Sequence, residues 1–301
     1  MNFTQIKKIN QVVDYLQAHL DDDLALPDLA DRACLSPFHF NRVFKAVMGE
    51  PPYHFITRLR MEKAAGLLRS HTGKSVSEIA SLCGFTSASA FAKRFKQHFG
   101  MNASAWRDQS GSQAVSSTEG GCPTVRTQGG KPIWEYRIAD GIRRVRIEDI
   151  AKIQVAYVRH VGPYVGESAV FAGLYEKLFR WAVPRGLADE RTTTFNVYHD
   201  YPGITPGAKL RVMACIPVTG DVQASGEVGV TRIAGGRYAV CRLCLDSAGF
   251  AHAWEWVTAI WLPQSGYTWG HGEAFERCYG QHIEQGVRYF EVDIVIPVKP
   301  M

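Results

Sequence analysis

The spacing of apolar positions changes about one third of the way along the chain. Up to about residue 108, apolar residues recur every three or four positions, which predicts amphipathic helices. From about residue 132, short runs rich in β-branched and aromatic residues predict strands, among them residues 153–158, 194–198, 210–216, 237–245 and 289–298. The pattern therefore predicts a multidomain protein, with an all-α domain followed by an α+β domain.

The segment between these two patterns has neither periodicity. Residues 109–131 are mostly Gln, Ser, Gly and Thr, a composition that is typical of a flexible linker. We therefore expect one domain at residues 1–108, a linker at 109–131 and a second domain at 132–301. The chain has 301 residues, of which 46% are hydrophobic and 21% charged, and this is enough for two globular cores.

The predicted helical domain contains an internal repeat. Residues 36–45 and 87–96 each begin with a serine suited to an N-cap, carry two phenylalanines four positions apart and end in a lysine. Gly49 and Gly100 follow at the same offset of 51 residues and are suited to end both helices. A short helix precedes each segment, so the helix-turn-helix pattern occurs twice. Between the two units, residues 51–69 predict one helix of about 19 residues, or ~28 Å.

The charge of this region favours a nucleic-acid partner. The whole chain has a formal net charge of +5, but residues 32–107 alone hold 12 Lys or Arg and only 3 Glu. A local excess of this kind is typical of proteins that bind DNA. A helical spacer can hold two recognition helices about one DNA turn, ~34 Å, apart in a single chain. We therefore expect a bipartite duplex site, which a monomer is enough to cover.

Helical spacing separates an inward from an outward face in the second helix of each unit. The residues predicted to face outward and bind DNA are Phe38, Asn41, Arg42 and Lys45 in the first unit and Ser89, Ala92, Lys93 and Lys96 in the second. Arg and Asn side chains can hydrogen-bond guanine and adenine edges. Structural alternatives exist: the units can be plain αα-hairpins, Phe38 can be a capping or core contact, and Lys45 and Lys96 can be solvated or bound to phosphate alone. Two copies in register, together with the basic excess, favour DNA binding.

The repeat also carries a specific set of motif residues. They are Phe44, Lys45, Gly49, Pro52, Arg58, Leu59, Arg60, Ala64, Leu67, Leu68, Ile79, Ala80, Gly84, Phe85, Ser87, Phe91, Phe95, Lys96, Gly100 and Arg107. On these residues, the helical domain resembles the DNA-binding domain of the AraC/XylS family of transcription regulators. The resemblance implies that the base-facing residues are Phe38, Asn41, Arg42, Ser89, Ala92 and Lys93. Ala103 departs from a proline that is usual in the family, and the short side chain of Ala92 implies a less discriminating second half-site.

The α+β domain repeats one order of elements. Strand, helix, strand and strand are predicted at residues 153–160, 167–184, 194–199 and 210–217, and again at 236–245, 248–262, 275–279 and 289–298. Two such halves that share one core leave a concave face between them. A concave face of this kind is suited to a small molecule.

The last predicted strand places apolar and acidic side chains on opposite faces. Its apolar face is Phe290, Val292, Ile294 and Ile296, and its other face is Glu291, Asp293 and Val295. An acid that faces a groove rich in aromatic residues suits a cationic or hydrogen-bonding ligand. The alternative is that Glu291 and Asp293 are solvated on an open sheet face. Trp254, Trp256 and Trp261 have helical spacing, which is more often a sign of core residues than of pocket residues.

Further motifs mark the same domain. They lie at residues 160–164, 200–202, 209–211, 235–240, 261–263, 265–267, 275–277 and 296–298. On these stretches, residues 134–298 resemble a GyrI-like effector-binding domain, which is built of duplicated SHS2 units. The resemblance implies a small-molecule pocket, with Asp293 where the family often has a glutamate, while Met213 and Cys278 depart from a common acid and tyrosine. The candidate ligand-binding residues are Trp134, Tyr164, Tyr198, Trp269, Phe275, Glu276 and Asp293.

Together, the two resemblances imply a one-component transcription regulator. Its second domain binds a small aromatic or cationic effector, and its expected partners are duplex DNA, this effector and RNA polymerase. We expect no cofactor, no metal ion and no catalytic residue.

Cysteine use and hydropathy predict a cytoplasmic location. The seven cysteines are an odd, scattered set, which does not suggest a disulfide framework. Cys241 and Cys244 have CxxC spacing, but on a strand they point to opposite faces and cannot share a metal ion. No apolar run reaches the ~18–20 residues of a membrane-spanning helix. Charged residues also interrupt the apolar positions near the N-terminus, unlike those of a signal peptide.

Two other functions stay open at this point. Some GyrI-like domains are hydrolases of reactive small molecules, and here Glu276 or Asp293 would be the base and Tyr164 a donor. The sequence has no phosphate-binding glycine loop, HExxH helix or GxSxG elbow, which argues against such an enzyme. The third function is a ligand-buffering or protein-binding module with a residual DNA-binding arm, and weak, sequence-independent DNA binding would favour it.

Overall fold

The first part of the chain is helical. The computed structural model describes residues 3–70, 74–112, 124–128, 131–138, 141–200 and 203–301. The helices of this part are α1 (Phe3–Ala18), α2 (Leu26–Arg32), α3 (Pro37–Met48), α4 (Pro52–Ser70), α5 (Val76–Leu82), α6 (Ala88–Phe99) and α7 (Ala103–Ser112). Helices α2 and α3 form the first helix-turn-helix unit, and α5 and α6 form the second. Helix α4 separates them with 19 residues, which confirms the predicted spacer. Within the described ranges, none of the helices is long and apolar enough to cross a membrane.

Helices α3 and α6 begin and end in the same way. The hydroxyl oxygens of Ser36 and Ser87 accept hydrogen bonds from the backbone N–H three residues further on, at 3.4 and 3.3 Å. Each bond satisfies a donor that the first turn of a helix leaves free. Gly49 and Gly100 end the two helices in the left-handed conformation, with φ of 77° and 75°. Because glycine has no Cβ, it adopts this conformation without strain. The predicted caps are therefore confirmed at both ends.

Aromatic side chains on the inward faces hold each unit together. In the first unit, the rings of Phe40 and Phe44 lie 5.5 Å apart, and Phe44 lies 5.3 Å from Phe55 of α4. In the second unit, Phe91 and Phe95 are again 5.5 Å apart. All five side chains are fully buried. Each contributes roughly 1.5–3 kcal/mol relative to an exposed position, so the repeated aromatic pairs form the cores of the two units.

The structure differs from the linker prediction at both ends of the predicted segment. Helix α7 continues to Ser112, and strand β1 (Thr124–Gln128) pairs in antiparallel fashion with β2 (Lys131–Ile138). Three of the five residues of β1 are β-branched, and this favours a strand. The polar composition of residues 109–131 obscured that local preference. The rest of the predicted linker, residues 113–123 and 129–130, lies outside the described residues.

The second part of the chain forms a sheet with helices. Its further elements are β3 (Gly141–Ile150), β4 (Ile153–Val161), α8 (Ser168–Ala182), β5 (Thr194–Tyr198), β6 (Arg211–Pro217), β7 (Gly229–Ile233), β8 (Gly236–Leu245), α9 (Gly249–Glu255), a π-helical stretch (Trp256–Trp261), α10 (Leu262–Gln264), β9 (Tyr267–Trp269), β10 (Ala274–Glu284) and β11 (Val287–Pro300). The strand order is β1-β2-β3-β8-β11-β10-β5-β6-β4-β7, and β9 pairs with β11. The orders β4–α8–β5–β6 and β8–α9–β10–β11 repeat each other, and they meet where β5 pairs with β10.

The two faces of the sheet form separate cores. Ile294 of β11 belongs to a buried cluster with Trp256 and Trp261 of the π-helical stretch. The next residue, Val295, belongs to another buried cluster, which also contains Phe275 of β10. Because side chains alternate along a strand, one face of β11 packs against the helices. The other face of β11 contributes to the second cluster.

The chain forms two compact units that do not follow chain order throughout. Unit 1 comprises Met1–Ala114 and two later segments, Asp200–Lys209 and Ala224–Gly229, and unit 2 comprises the rest. The segment Asp200–Lys209 is the connection between β5 and β6. Asp200 and residues 203–209 therefore group with the helices, whereas the predicted boundaries place them in the second domain.

Candidate nucleic-acid interface and ligand site

Helix α3 presents a row of exposed side chains. Phe38 is 82% exposed, which excludes the alternative that it is a core contact. Asn41, Arg42 and Lys45 are exposed as well. One Nη atom of Arg42 lies 3.3 Å from Nδ1 of His39, one turn earlier. A guanidinium group has five N–H donors, so this contact leaves Arg42 enough donors for a base edge.

Helix α6 presents the corresponding positions without an amide or a guanidinium group. Ser89, Ala92, Lys93 and Lys96 are all exposed. The Oγ atom of Ser89 lies 2.9 Å from Oγ of the N-cap residue Ser87, so part of its hydrogen-bonding capacity is already used. Exposure agrees with the outward face predicted for both helices. Their contact with DNA bases stays a prediction.

A half-buried arginine of α4 holds the turn of the second unit. Arg60 donates through Nε to the carbonyl of Leu20 at 2.8 Å, through Nη1 to that of Gly84 at 3.1 Å and through Nη2 to that of Asp22 at 2.6 Å. Gly84 has φ +74°, and a Cβ atom there would lie 2.9 Å from the Arg60 guanidinium. The turn between α5 and α6 is therefore fixed to α4 and to the residues that follow α1. The sequence singled out Arg60 only as a motif position.

Glu276 of β10 is a buried acid of unit 2. It is 2% exposed, and its Oε1 and Oε2 accept hydrogen bonds from Trp254 Nε1 at 2.7 Å and Asn196 Nδ2 at 2.9 Å. Burial raises the pKa of Glu276, and hydrogen bonds from Asn196, Trp254 and Tyr198 oppose that rise. Among the described residues, Lys, Arg and His form no ion pair with this carboxylate. The site therefore holds a buried acid that only neutral donors satisfy.

Aromatic rings lie around this carboxylate. The ring of Tyr198 lies 5.4 Å from that of Trp254, nearly perpendicular to it, and 5.6 Å from that of Tyr164. The hydroxyl of Tyr175 donates to Oδ1 of Asn196 at 2.8 Å. This bond orients the amide so that its nitrogen points to the carboxylate. A buried acid surrounded by aromatic rings is chemically suited to an organic cation.

Asp293 and Phe275 do not belong to this site. In the pairing of β10 with β11, Glu276 lies opposite Ile294, whereas Arg277 lies opposite Asp293. Opposed residues share a face of the sheet and neighbouring residues alternate. Asp293 and Phe275 are therefore on the face away from Glu276, and the expectation that all three line one pocket is wrong.

Two predicted aromatic ligand residues lie within the helix-facing core. The ring of Trp134 lies 5.4 Å from that of Trp261 and 6.0 Å from that of Tyr267, edge-on in both cases. Trp269 packs against the same cluster. Of the seven candidate ligand residues, the structure thus brings together Tyr164, Tyr198 and Glu276.

Asp293 forms an ion network on the other face of the sheet. It is fully buried, and its Oδ2 accepts hydrogen bonds from Arg277 Nη2 and the Tyr279 hydroxyl, both at 2.7 Å. Its Oδ1 accepts from Nε of Arg242. Burial raises the pKa of Asp293, but these three donors outweigh burial and the pKa lies below its ordinary value. Two arginines and a tyrosine thus hold this carboxylate, which makes it a weaker base than an ordinary aspartate.

Sequence reasoning missed Asn196, Tyr175 and Trp254. Trp254 has the same helical spacing as Trp256 and Trp261, and these two are core residues as predicted. Its hydrogen bond to Glu276 depends on a distant strand, so spacing alone does not reveal it. Asn196 did carry a signal, because a polar residue between apolar strand residues is buried and needs a partner.

The described residues offer little for a metal ion. Within the ranges that the structure covers, no group of three or more His, Cys, Asp or Glu side chains is arranged to hold one. On β8, Cys241 is buried and Cys244 is exposed. This agrees with the opposite faces that strand alternation predicts for the CxxC pair.

Comparisons with known proteins assign each half of the chain to a domain type. Residues 143–299 match the family model of the GyrI-like small molecule binding domain, and residues 29–109 match that of a helix-turn-helix domain. The regulatory protein PocR of Salmonella typhimurium is 37% identical over 102 residues, which are 34% of this chain and 33% of PocR. The probable transcriptional regulator LumQ of Photobacterium leiognathi is 31% identical over 100 residues, which are 33% of this chain and 40% of LumQ. The chain thus spans less than half the length of these relatives.

A solved structure is similar to the helical part. It is a transcriptional regulator with an AraC-type DNA-binding domain from Chromobacterium violaceum, 28% identical, which covers 35% of this chain and 94% of its own length with a TM-score of 0.33. The GyrI-like match extends over more than half of the 301 residues. The chain therefore belongs to the GyrI-like small-molecule-binding family, with an AraC-type helix-turn-helix domain ahead of the GyrI-like domain.

Proposed function

We propose that this protein is a sequence-specific DNA-binding transcription regulator whose GyrI-like domain binds a small effector. The observation that carries the proposal is the pair of helix-turn-helix units within one compact unit, with the same caps and an exposed polar face on α3 and on α6. Two recognition helices in one chain can occupy two successive major-groove segments. The relatives PocR and LumQ, which are named as regulators, support the same function.

In this proposal, the first unit supplies most of the sequence discrimination. Asn41 and Arg42 of α3 hydrogen-bond adenine and guanine edges. Lys45 and Lys96 contact phosphate, which positions the protein but does not read sequence. At the corresponding surface of α6, Ala92 contributes only a methyl group, so the second half-site is the weaker one.

The effector in this proposal is an organic cation with an aromatic group. Glu276 is a buried carboxylate among neutral donors, and Trp254, Tyr198 and Tyr164 lie around it. A cation that enters this site gains both the carboxylate charge and the electron-rich faces of the rings. Binding without turnover is part of the same proposal.

Three finer features belong to the proposal. The halves β4–α8–β5–β6 and β8–α9–β10–β11 are duplicated SHS2-like units. The helices up to Ser112 form the DNA-binding domain, and the strands and helices from β1 onward form the effector domain, apart from the two later segments that group with unit 1. On the promoter, one copy of the protein contacts RNA polymerase, as AraC/XylS-type regulators are expected to do.

Calorimetric titration with benzyltrimethylammonium tests the proposed effector site at Glu276. We expect binding by the wild-type chain and at least tenfold weaker binding by Glu276→Gln, because this substitution removes the charge at nearly constant shape. Glu291→Gln is the matched control, since Glu291 is an exposed acid on β11, and it should bind like the wild type. Equal affinity of all three proteins would contradict a cation site at Glu276.

In vitro transcription tests the regulatory half. The template carries a binding site selected with this protein, and transcript yield is measured with purified RNA polymerase, with and without the protein. We expect the protein to change the yield at this template and not at one with a scrambled site. An equal yield in all cases would contradict a role in transcription, whether or not the ligand binds.

A further inference from the structure

The connection between β5 and β6 packs against the helices of unit 1. Residues 203–209 of this connection belong to unit 1, and we call them the docking segment. Its residue Ile204 packs against the core of the second helix-turn-helix unit, a cluster that includes Met61 of α4 and Phe91 and Phe95 of α6. A segment of the effector domain sequence therefore contributes to the core that supports a recognition helix.

A buried ionic group is the second attachment point. Glu50, Arg58 and Glu62 are 5%, 4% and 6% exposed. Arg58 donates to Glu50 Oε1 at 2.8 Å through Nε and to Glu62 Oε2 at 2.9 Å through Nη1. Two buried carboxylates thus share one guanidinium. Lys209 of the docking segment supplies the second cation, with its Nζ 2.5 Å from Glu50 Oε2.

The pKa of Glu50 agrees with this balance of charge. Burial raises the pKa of Glu50, but hydrogen bonds from Arg58 and Lys209 outweigh burial and the pKa lies below its ordinary value. Removing one partner of a buried ion pair leaves an uncompensated charge, which is strongly unfavourable. The helices alone would leave Glu50 with less compensation, so this surface is built to receive Lys209.

The attachment site lies between the two recognition units. Glu50 is in the turn that joins α3 to α4, and Arg58 and Glu62 are on α4. Helix α4 connects the first unit to the second. A change at Lys209 therefore acts on the element that sets the spacing of α3 and α6.

At its other end, the same connection continues from the effector site. Strand β5 ends at Tyr198, and both Tyr198 and Asn196 bind the Glu276 carboxylate. The backbone N–H of His199 donates to the carbonyl of Arg211 at 3.3 Å, where the connection leaves the sheet. Only a few residues of chain separate the donors of the effector site from the docking segment.

We propose that the docking segment couples the effector site to the spacing of the two recognition helices, with Lys209 and Ile204 as its anchors. The inference rests on the proposed function and adds how the effector regulates DNA binding. A cation that binds Glu276 competes with the hydrogen bonds from Asn196 and Tyr198, so the end of β5 shifts. The shift reaches Glu50 and α4 through Lys209. Because such coupling is reciprocal, DNA binding changes the effector affinity by the same factor.

Fluorescence anisotropy with a selected duplex tests the proposal in the full chain. The quantity measured is the ratio of the DNA dissociation constants with and without saturating benzyltrimethylammonium. For the wild type we expect the effector to change the DNA dissociation constant by at least about fivefold, in either direction. This is the lower end of the changes that allosteric effectors typically cause. Lys209→Met should bring the ratio to within about twofold of one, while calorimetry still shows saturable effector binding.

Three variants show whether the effect belongs to the docked charge. Lys209→Arg keeps the cation and should keep the wild-type ratio. Lys152→Met removes an exposed lysine between β3 and β4 and should keep it as well. Ile204→Ala weakens the other anchor without touching the ionic group, so it should reduce the ratio even if Lys209→Met fails to fold. A wild-type ratio in both Lys209→Met and Ile204→Ala would overturn the proposal.

A second readout needs neither DNA nor effector. Hydrogen–deuterium exchange of residues 203–209 is measured in the full chain and in Tyr198→Phe, which removes one donor to Glu276. We expect exchange of these amides to rise several-fold in Tyr198→Phe and to stay unchanged in the control Glu291→Gln. Unchanged exchange in Tyr198→Phe would contradict the coupling even where calorimetry confirms effector binding. Raised exchange together with failed calorimetry would contradict the proposed effector and leave the coupling supported.

Discussion

Helices α3 and α6 share serine N-caps, left-handed glycine C-caps and buried phenylalanine pairs, yet they present different side chains to solvent. The surface of α3 carries an amide and a guanidinium, at Asn41 and Arg42, beside a largely exposed phenylalanine. The surface of α6 carries a methyl group and a hydroxyl, at Ala92 and Ser89, beside a lysine. The repeated part is the scaffold, and the part that differs is the surface that would meet DNA.

The turns of the two units also differ in the residue that adopts a positive φ. Cys34 occupies the turn of the first unit with φ 49°, and Gly84 occupies the turn of the second with φ 74°. A side chain at positive φ is strained, whereas glycine is not. The first turn is therefore strained at Cys34. In the second turn, Gly84 has no Cβ, and the Arg60 guanidinium lies close to it.

The first helix of each unit begins differently as well. Helix α5 has a capping box, in which Ser75 Oγ accepts from Glu78 N–H at 3.1 Å and Glu78 Oε2 accepts from Ser75 N–H at 2.7 Å. Helix α2 follows Ala25, whose side chain makes no cap hydrogen bond. In the second unit, side-chain hydrogen bonds thus fix both the turn and the start of the first helix, whereas the first unit carries the side chains predicted to read bases. Each difference can be tested by itself.

The largest effect on stability is expected at the second turn. Gly84→Ala should lower the free energy of unfolding by about 3 kcal/mol, because it adds left-handed strain and displaces Arg60 from three carbonyls. Gly100→Ala is the matched control, since its φ is +75° but nothing lies within 4 Å of the added Cβ. It should cost only about 1 kcal/mol. Chemical denaturation measures both, and equal losses would show that Arg60 does not hold the turn.

The next effect concerns base recognition by the first unit. Arg42→Ala should weaken binding to the selected duplex by about 2 kcal/mol and relax specificity at one half-site. The equivalent change on the second unit, Lys93→Ala, should weaken binding with little change in specificity. Binding to a panel of single-base variants of the duplex measures the difference. A uniform loss across the panel for Arg42→Ala would make it a phosphate contact.

The capping box of α5 should contribute less to stability than the turn at Gly84. Ser75→Ala is expected to lower the free energy of unfolding by about 1 kcal/mol, because the first turn of α5 loses a hydrogen bond. In the first unit, Ala25→Ser should have the opposite sign, since α2 has no side-chain cap to lose. Thermal denaturation of both variants checks this contrast, and a loss of stability in Ala25→Ser would contradict it.

The same box predicts a pH dependence. Hydrogen bonds with Ser75 lower the pKa of Glu78 from its ordinary value of 4.5. Its stabilising contribution is therefore present above that value and is lost as the pH falls through the lower pKa of the folded state. The difference in unfolding free energy between wild type and Glu78→Gln should be present at neutral pH and vanish in acid. A difference that grows in acid would have the wrong sign.

The smallest effect is expected at the first turn. Cys34→Gly should raise the free energy of unfolding by about 0.5 kcal/mol, because relief of left-handed strain exceeds the added flexibility of the unfolded chain. Cys34→Ala keeps the strain and should bring no gain. A loss of stability in Cys34→Gly would show that Cys34 is not strained at its positive φ.

Local features were predictable from the sequence because their causes lie within one turn of helix or one strand. Serine and glycine caps, the phenylalanine pairs and the 19-residue helix α4 belong to this class. So does the alternation along β11, which places Ile294 against the helices and Asp293 on the other face.

The ligand site was only partly predictable because it depends on how strands are paired. Glu276 and Asp293 are both acids on neighbouring strands, and only the register of β10 with β11 shows that they face opposite sides. The bond from Trp254 to Glu276 likewise joins elements 22 residues apart. Nothing in the sequence marks residues 203–209 as part of the helical unit, since Lys209 and Glu50 are 159 residues apart.

Selection of binding sites from a randomised duplex library tests the central claim most directly. Near physiological salt, where non-specific binding is weak, we expect a two-part motif with half-sites about 10 base pairs apart. One half-site, the one that Arg42→Ala relaxes, should carry more sequence information than the other. Enrichment of no motif would contradict the claim that the two units read DNA, and two equally informative half-sites would contradict the claim that they read it unequally.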